Sequence, residues 1–164
     1  MQDNIIVKPS VEKQFDRFLR QGRVLFFSAP CGFGKTAVAE ALLSGREVLR
    51  LSAGSAGFKL PSAEADWQIL LLDDLQDMQE EQDWNALCEL IRACPERRFV
   101  LLSRGTPPGS LMAFQYTGLM TVLEADDLLF DADDVRRLFQ LSGANVTDSE
   151  IDGILKESVG YPLG

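Results

Sequence analysis

One stretch constrains this chain more than any other: Val24-Leu25-Phe26-Phe27-Ser28 runs into Ala29-Pro30-Cys31-Gly32-Phe33-Gly34 and then into Lys35-Thr36. A continuous apolar run of that length reads as a buried strand. The loop behind it carries glycines, as it must if successive backbone N–H groups are to curl around one anion without a side chain blocking the approach. From Lys35 to about Ser44 the pattern predicts a helix, with Gly45 as its C-cap, so the positive end of the helix faces the loop. A strand, an anion-cradling loop and a helix in that order belong to an α/β layer structure.

The spelling is that of the phosphate-binding loop G-x-x-x-x-G-K-[ST], with Ala29 at the place of the first glycine. Alanine fits there provided that its φ is negative. In this reading Ala29, Pro30, Cys31, Gly32, Phe33, Gly34, Lys35, Thr36 and Ala37 bind the nucleotide. Lys35 reaches the terminal phosphates and counts among the catalytic residues, and Thr36 offers its hydroxyl to magnesium. A magnesium bound to phosphate also needs a carboxylate at the end of a neighbouring strand. Ile69-Leu70-Leu71-Leu72-Asp73-Asp74 supplies one. Asp73 orients the metal shell, and Asp74 is placed to polarise a water for attack on the γ-phosphate, unless it caps a helix. Arg104 follows another apolar run, at the sheet edge where open parallel sheets bind ligands. There it senses the γ-phosphate or is an ordinary surface arginine.

The remaining pattern alternates helices with short apolar runs. It predicts a helix over Ser10–Gln21 with Ser10 as N-cap, then strands at Val24–Ser28, Glu47–Ser52, Gln68–Leu72, Arg98–Ser103 and near Met120–Leu123. Between them lie an exposed Gly/Ser/Pro-rich connection over Ala53–Asp66, a helix from about Glu80 to Ala93 ended by Pro95, and a short helix near Ser110–Gln115. Two closing helices are expected near Asp131 and after Thr147. The expected architecture is α/β, a three-layer P-loop NTPase fold with a central, mainly parallel five-stranded sheet and C-terminal helices. It divides into an N-terminal helical segment over 1–22, a nucleotide-binding core over 23–125 and the C-terminal helices over 126–164.

At 164 residues, 46% hydrophobic and 25% charged, the chain has the composition of a single globular domain. Its net charge of −9 makes it a poor candidate for gripping nucleic acid by itself. The longest apolar runs are too short to cross a bilayer, and the first residues lack the pattern of a signal peptide, so a cytoplasmic location is expected. Without histidine or a Cys-x-x-Cys pair, the chain has no typical zinc site. Cys88 and Cys94 read as small core residues, whereas Cys31 lies in the phosphate loop.

The ordered set Ser28-Ala29-Pro30-Cys31-Gly32-Phe33-Gly34-Lys35-Thr36, then Leu70-Leu71-Leu72-Asp73-Asp74, then Leu101-Leu102-Ser103-Arg104 resembles the STAND class of signalling ATPases, and within it the MalT-like LuxR-type transcriptional regulators. Gly118-Leu119-Met120-Thr121-Val122-Leu123-Glu124 and Gly160-Tyr161-Pro162-Leu163 extend the likeness over nearly the whole chain. The resemblance implies a magnesium-dependent switch in which ADP holds a closed state, inducer and ATP permit self-association, and slow hydrolysis resets the cycle. It further implies that Pro162 lies near the adenine, that residues around Val7 to Val11 flank the base, and that sensor repeats and a DNA-binding module follow in a longer protein. Two other readings compete. A small-molecule or nucleotide kinase needs a lid rich in arginine, and the candidate segment Ala53–Asp66 holds only Lys59 as a cation. A nucleotide-binding module without hydrolysis is the other.

Overall fold

The computed structural model describes residues 7–30, 34–128 and Glu150. In chain order it contains α1 (Pro9–Gln21), β1 (Val24–Ser28), α2 (Lys35–Leu42), β2 (Val48–Ser52), β3 (Ile69–Asp73), a 3-10 turn (Leu75–Asp77), α3 (Glu81–Ala93), β4 (Arg98–Ser103), α4 (Gly109–Tyr116), β5 (Met120–Glu124) and α5 (Ala125–Leu128). The expected helices near Asp131 and after Thr147, and the Gly160–Leu163 element, lie outside the described residues.

The five strands form one sheet in the order β2-β3-β4-β1-β5, and all four pairings are parallel. From β1 the chain moves across the sheet to β2, then returns through β3 and β4 and passes β1 to reach β5. Because such crossovers are right-handed, the outgoing helix and the returning helices lie on opposite faces. The side chains agree. Leu25 and Phe27 of β1, Leu71 of β3 and Val100 and Leu102 of β4 pack with Phe15 and Phe18 of α1 and Val38 and Ala39 of α2. The alternate residues, Val24, Phe26, Leu70, Leu72, Phe99 and Leu101, pack with Leu87, Cys88 and Ile91 of α3 and Leu111 and Phe114 of α4. This is why the central strands read as unbroken apolar runs: both faces are covered. Edge strand β2 is only partly buried.

The opposite edge of the sheet, where the strands begin, is tied by arginines. Arg23 donates to the carbonyls of Ile91, Cys94 and Arg97, and Arg98 donates to Leu19 O at 2.6 and 3.0 Å. These bonds fasten the C-terminal ends of α3 and α1 beneath the sheet. Burial, with the Arg98 guanidinium nearby, pulls the pKa of Arg23 below its ordinary value.

Several local expectations need correction. Ser10 is not the N-cap of the first helix: Lys8 holds that position without a side-chain bond, and Pro9 opens the helix, its fixed φ and missing N–H suiting the first turn. Helix α2 stops at Leu42 rather than Ser44, and its C-cap is Leu43; Gly45, at φ 81°, turns the chain beyond it. The Ala53–Asp66 connection has no regular element, as expected, but it is not simply exposed. Phe58, Leu60 and Ala63 pack against the α3 face, and Ser62 O accepts the Trp67 indole N–H at 3.1 Å. Cys88 and Cys94 are buried, and desolvation pushes the Cys88 thiol pKa up. Among the described residues no helix is long and apolar enough to cross a membrane.

Candidate phosphate-binding site

Strands β1 and β4 are neighbours whose following segments leave toward opposite faces, so a crevice opens at their C-terminal ends, where open α/β sheets take ligands. Ser28 pairs with Ser103 in register. Ala29 N–H donates to Ser103 O at 3.2 Å, and the Ser28 hydroxyl donates to Gly105 O at 2.9 Å. The root of the loop is thus pinned to the strand that carries Arg104.

Ala29 is buried, at 2% exposure. Among the described non-glycine residues Asp74 is the one with positive φ, so Ala29 keeps the negative φ at which an alanine costs nothing. Gly34 is different. It stands at the N-cap of α2 with φ 74°, where a side chain would be strained. Helix α2 has neither an acidic residue in its first turn nor a side-chain cap, so no carboxylate of that turn competes for its positive end. Lys35 reaches back to the end of β1 and donates to Ala29 O at 2.5 Å and Pro30 O at 3.2 Å. Thr36 and Ala37 complete the first turn, and Cys31, Gly32 and Phe33 lie outside the described residues, as does Pro162.

Strand β3 lies between β4 and the edge strand β2, and it ends at the acids. The Thr36 hydroxyl donates to Asp73 Oδ2 at 3.1 Å, joining the start of α2 to the end of β3. Asp73 Oδ1 accepts the Asp74 N–H at 2.7 Å, which fixes the carboxylate plane. A hydroxyl and a carboxylate side by side are hard oxygen donors, the kind that magnesium shares with phosphate and water. Thr36 and Asp73 therefore fit that ion. Among the described residues no three acids, cysteines or histidines gather as a protein-only cage.

Asp74 sits at φ 58°, in the left-handed region that aspartate tolerates better than most residues. It occupies the N-cap position of the 3-10 turn, yet its side chain makes no cap bond. Instead Ser52 Oγ donates to Asp74 Oδ2 at 2.7 Å and Gln76 Nε2 donates to Oδ1 at 3.3 Å. Each carboxylate oxygen retains a lone pair for a further donor such as water. Arg104 is tied in by its main chain, whose N–H donates to Gln76 Oε1 at 3.2 Å, while the side chain is exposed. The structure thus assembles Ala29, Pro30, Gly34, Lys35, Thr36, Asp73, Asp74 and Arg104 at one sheet edge. Val7 packs on the α1–α2 face and Val11 is core.

Ser52 and Gln76 were not legible as site residues from local pattern. Ser52 ends β2 and pairs in register with Asp73. The signal for it is strand register, which requires the sheet order. Gln76 follows the two acids by a single turn, and its role depends on Arg104, 28 positions away.

No protein-family model matches the chain, and no curated protein matches it. Solved structures do. The chain is similar to the Holliday junction branch migration motor RuvB of Thermotoga maritima (TM-score 0.60, 17% identity, 96% of this chain and 58% of that one). It is similar to a Walker-type ATPase of Pyrococcus abyssi (TM-score 0.62, 13% identity, 96% and 65%). It is also similar to a signal-transduction ATPase with numerous domains and a tetratricopeptide-repeat sensor from Pyrococcus horikoshii (TM-score 0.60, 11% identity, 96% and 28%). The chain spans less than two thirds of the length of each of these proteins. Together with the parallel sheet and its order, the likeness establishes the α/β fold of P-loop NTPases.

Proposed function

We propose that this chain is an ATP-binding, slowly hydrolysing switch domain of a larger regulator, of the MalT-like LuxR type within the STAND class. The contact between the Thr36 hydroxyl and Asp73 Oδ2 carries the reading, because it joins two hard oxygen donors suited to magnesium next to Lys35. ATP is the nucleotide, ADP the product, and magnesium the accompanying ion. When bound, the ion neutralises charge on the phosphate oxygens.

The chain's own groups divide the remaining work. Gly34 and the uncapped first turn of α2 present N–H groups to the phosphates. Lys35 exchanges the Ala29 and Pro30 carbonyls for phosphate oxygens. Asp74 accepts a proton of the attacking water on the lone pairs that Ser52 and Gln76 leave unused. Arg104 follows β4 with an exposed side chain and senses the γ-phosphate from there. Output is a change of shape passed to further domains of the same protein, with self-association in the ATP state. Inducer and DNA are handled by those other domains, in the cytoplasm.

The kinase reading is weaker, since Phe58, Leu60 and Ala63 seat the candidate lid segment on the core. One observation favours a module that binds without hydrolysing: both Asp74 oxygens already accept bonds from the protein. The deciding experiment titrates the chain with labelled ATP and ADP, with and without magnesium, beside Lys35→Ala, and follows phosphate release. We expect Lys35→Ala to weaken ATP binding by about tenfold to a hundredfold, the equivalent of the ~1.5–3 kcal/mol carried by a charge-assisted hydrogen bond. Equal binding by the two proteins sinks the reading. Binding without phosphate release selects the module.

A further inference from the structure

We infer that Gln76 is a positioning residue whose one amide holds Asp74 and the Arg104 main chain in a fixed relation, so that the acid and the end of β4 respond to phosphate as a unit. The inference rests on the proposed nucleotide site and adds to it the part that links its two halves.

The geometry is specific to an amide. Gln76 faces a carboxylate oxygen, which can only accept, and a backbone N–H, which can only donate. Reversing the amide would set carbonyl against carboxylate and NH2 against N–H, so the two partners fix its orientation. A glutamate would keep the bond from Arg104 and repel Asp74. A lysine would keep the bond to Asp74 and lose Arg104. The backbone enforces the placement: the left-handed φ of Asp74 turns the chain at the end of β3, and Leu75, fully buried, anchors the 3-10 turn in the α3-face core. Gln76 is left half-buried between two strand ends. No other described side chain bonds both Asp74 and the segment that begins at Arg104.

The consequence is directional. A displacement of the Asp74 carboxylate, as when a water or phosphate oxygen arrives, is handed to the Arg104 N–H through a rigid planar group. Arg104 begins the segment that leads through Gly105 to α4. The link therefore offers a route by which nucleotide state leaves the site.

Two measurements on the whole chain test this. In the first, amide resonances are compared for four proteins without nucleotide: native, Asp74→Asn, Gln76→Ala and the double variant. Asparagine is used because it tolerates the left-handed backbone. We expect Asp74→Asn to shift the Arg104 amide in the native background and to leave it unmoved in the Gln76→Ala background. An equal shift in both backgrounds, or none in either, overturns the inference. This readout needs no nucleotide, so it stands whatever the fate of the ATPase reading.

The second measurement separates binding from turnover. We expect Gln76→Ala to keep the Kd for ATP within about twofold while lowering turnover about tenfold, as misplacement of a reacting group does. Gln76→Glu should lower turnover at least as far, because its carboxylate repels that of Asp74. Parallel losses in binding and turnover, or native turnover in Gln76→Ala, reject the positioning role. A native chain that neither binds nor hydrolyses ATP rejects the proposed function, and the resonance test alone then decides the link.

Discussion

Ala29 shows how one backbone angle decides whether a departure from a motif matters. With φ negative, alanine loses nothing in the folded chain and restricts the unfolded one, so restoring glycine should weaken the protein. We expect Ala29→Gly to lower stability by about 0.5–1 kcal/mol in urea denaturation, with ATP affinity kept within about threefold. The Thr36–Asp73 pair makes a different prediction. In Asp73→Asn the magnesium-dependent part of ATP affinity should fall about tenfold or more, whereas affinity without magnesium should be retained, as titrations with and without the ion will measure. Loss of both affinities in equal measure would point to misfolding of the edge instead. At this scale the places of Lys35, Thr36, Asp73, Asp74 and Arg104 at the strand ends are legible because each follows an apolar run. Ser52 and Gln76 are not, because hydrogen bonds across strands leave no local pattern.

Among the elements, the strands are the most legible, and β1 and β4 match their expected bounds at both ends. Residues buried on two faces leave runs with no polar interruption, and charges or turns bound them sharply. Helix ends are less legible. The missing N–H of Pro9 outweighed the capping preference of Ser10, and α2 ended at Leu42 although apolar Leu43 continued the pattern. Docking of the elements rests on contacts no periodicity records, as Arg23 illustrates. Its guanidinium serves carbonyls at the end of α3 and before β4. Replacing it with alanine leaves those carbonyls without that donor, and the cost should be about 2–3 kcal/mol in a denaturation midpoint with an unchanged slope. Leu19 is tied by Arg98 rather than by Arg23, so α1 should remain docked in that variant.

For the molecule as a whole, one defined pair contributes a dependence of stability on acid. Arg50 on β2 donates to Glu40 on α2 at 2.7, 2.8 and 3.0 Å, and this hydrogen bonding holds the Glu40 carboxyl below its ordinary range. A carboxyl depressed by folding stabilises above its unfolded pKa, and the gain disappears as pH falls through the folded value. The pair is largely exposed, so its worth is at most about 1 kcal/mol. Denaturation of Arg50→Ala should therefore show a small deficit at neutral pH that closes below the Glu40 pKa. A deficit that persists in acid would assign the loss to packing of the arginine stem. The two cores, separated by a single sheet, have a broader consequence. They act as two rooms divided by one wall, with the phosphate loop opening from one and α3 and α4 furnishing the other. A partner that grasps α4 stands in the room away from Lys35, and the chain that leads back from it toward the site passes the doorway formed by the strand ends, through Gly105 and Arg104.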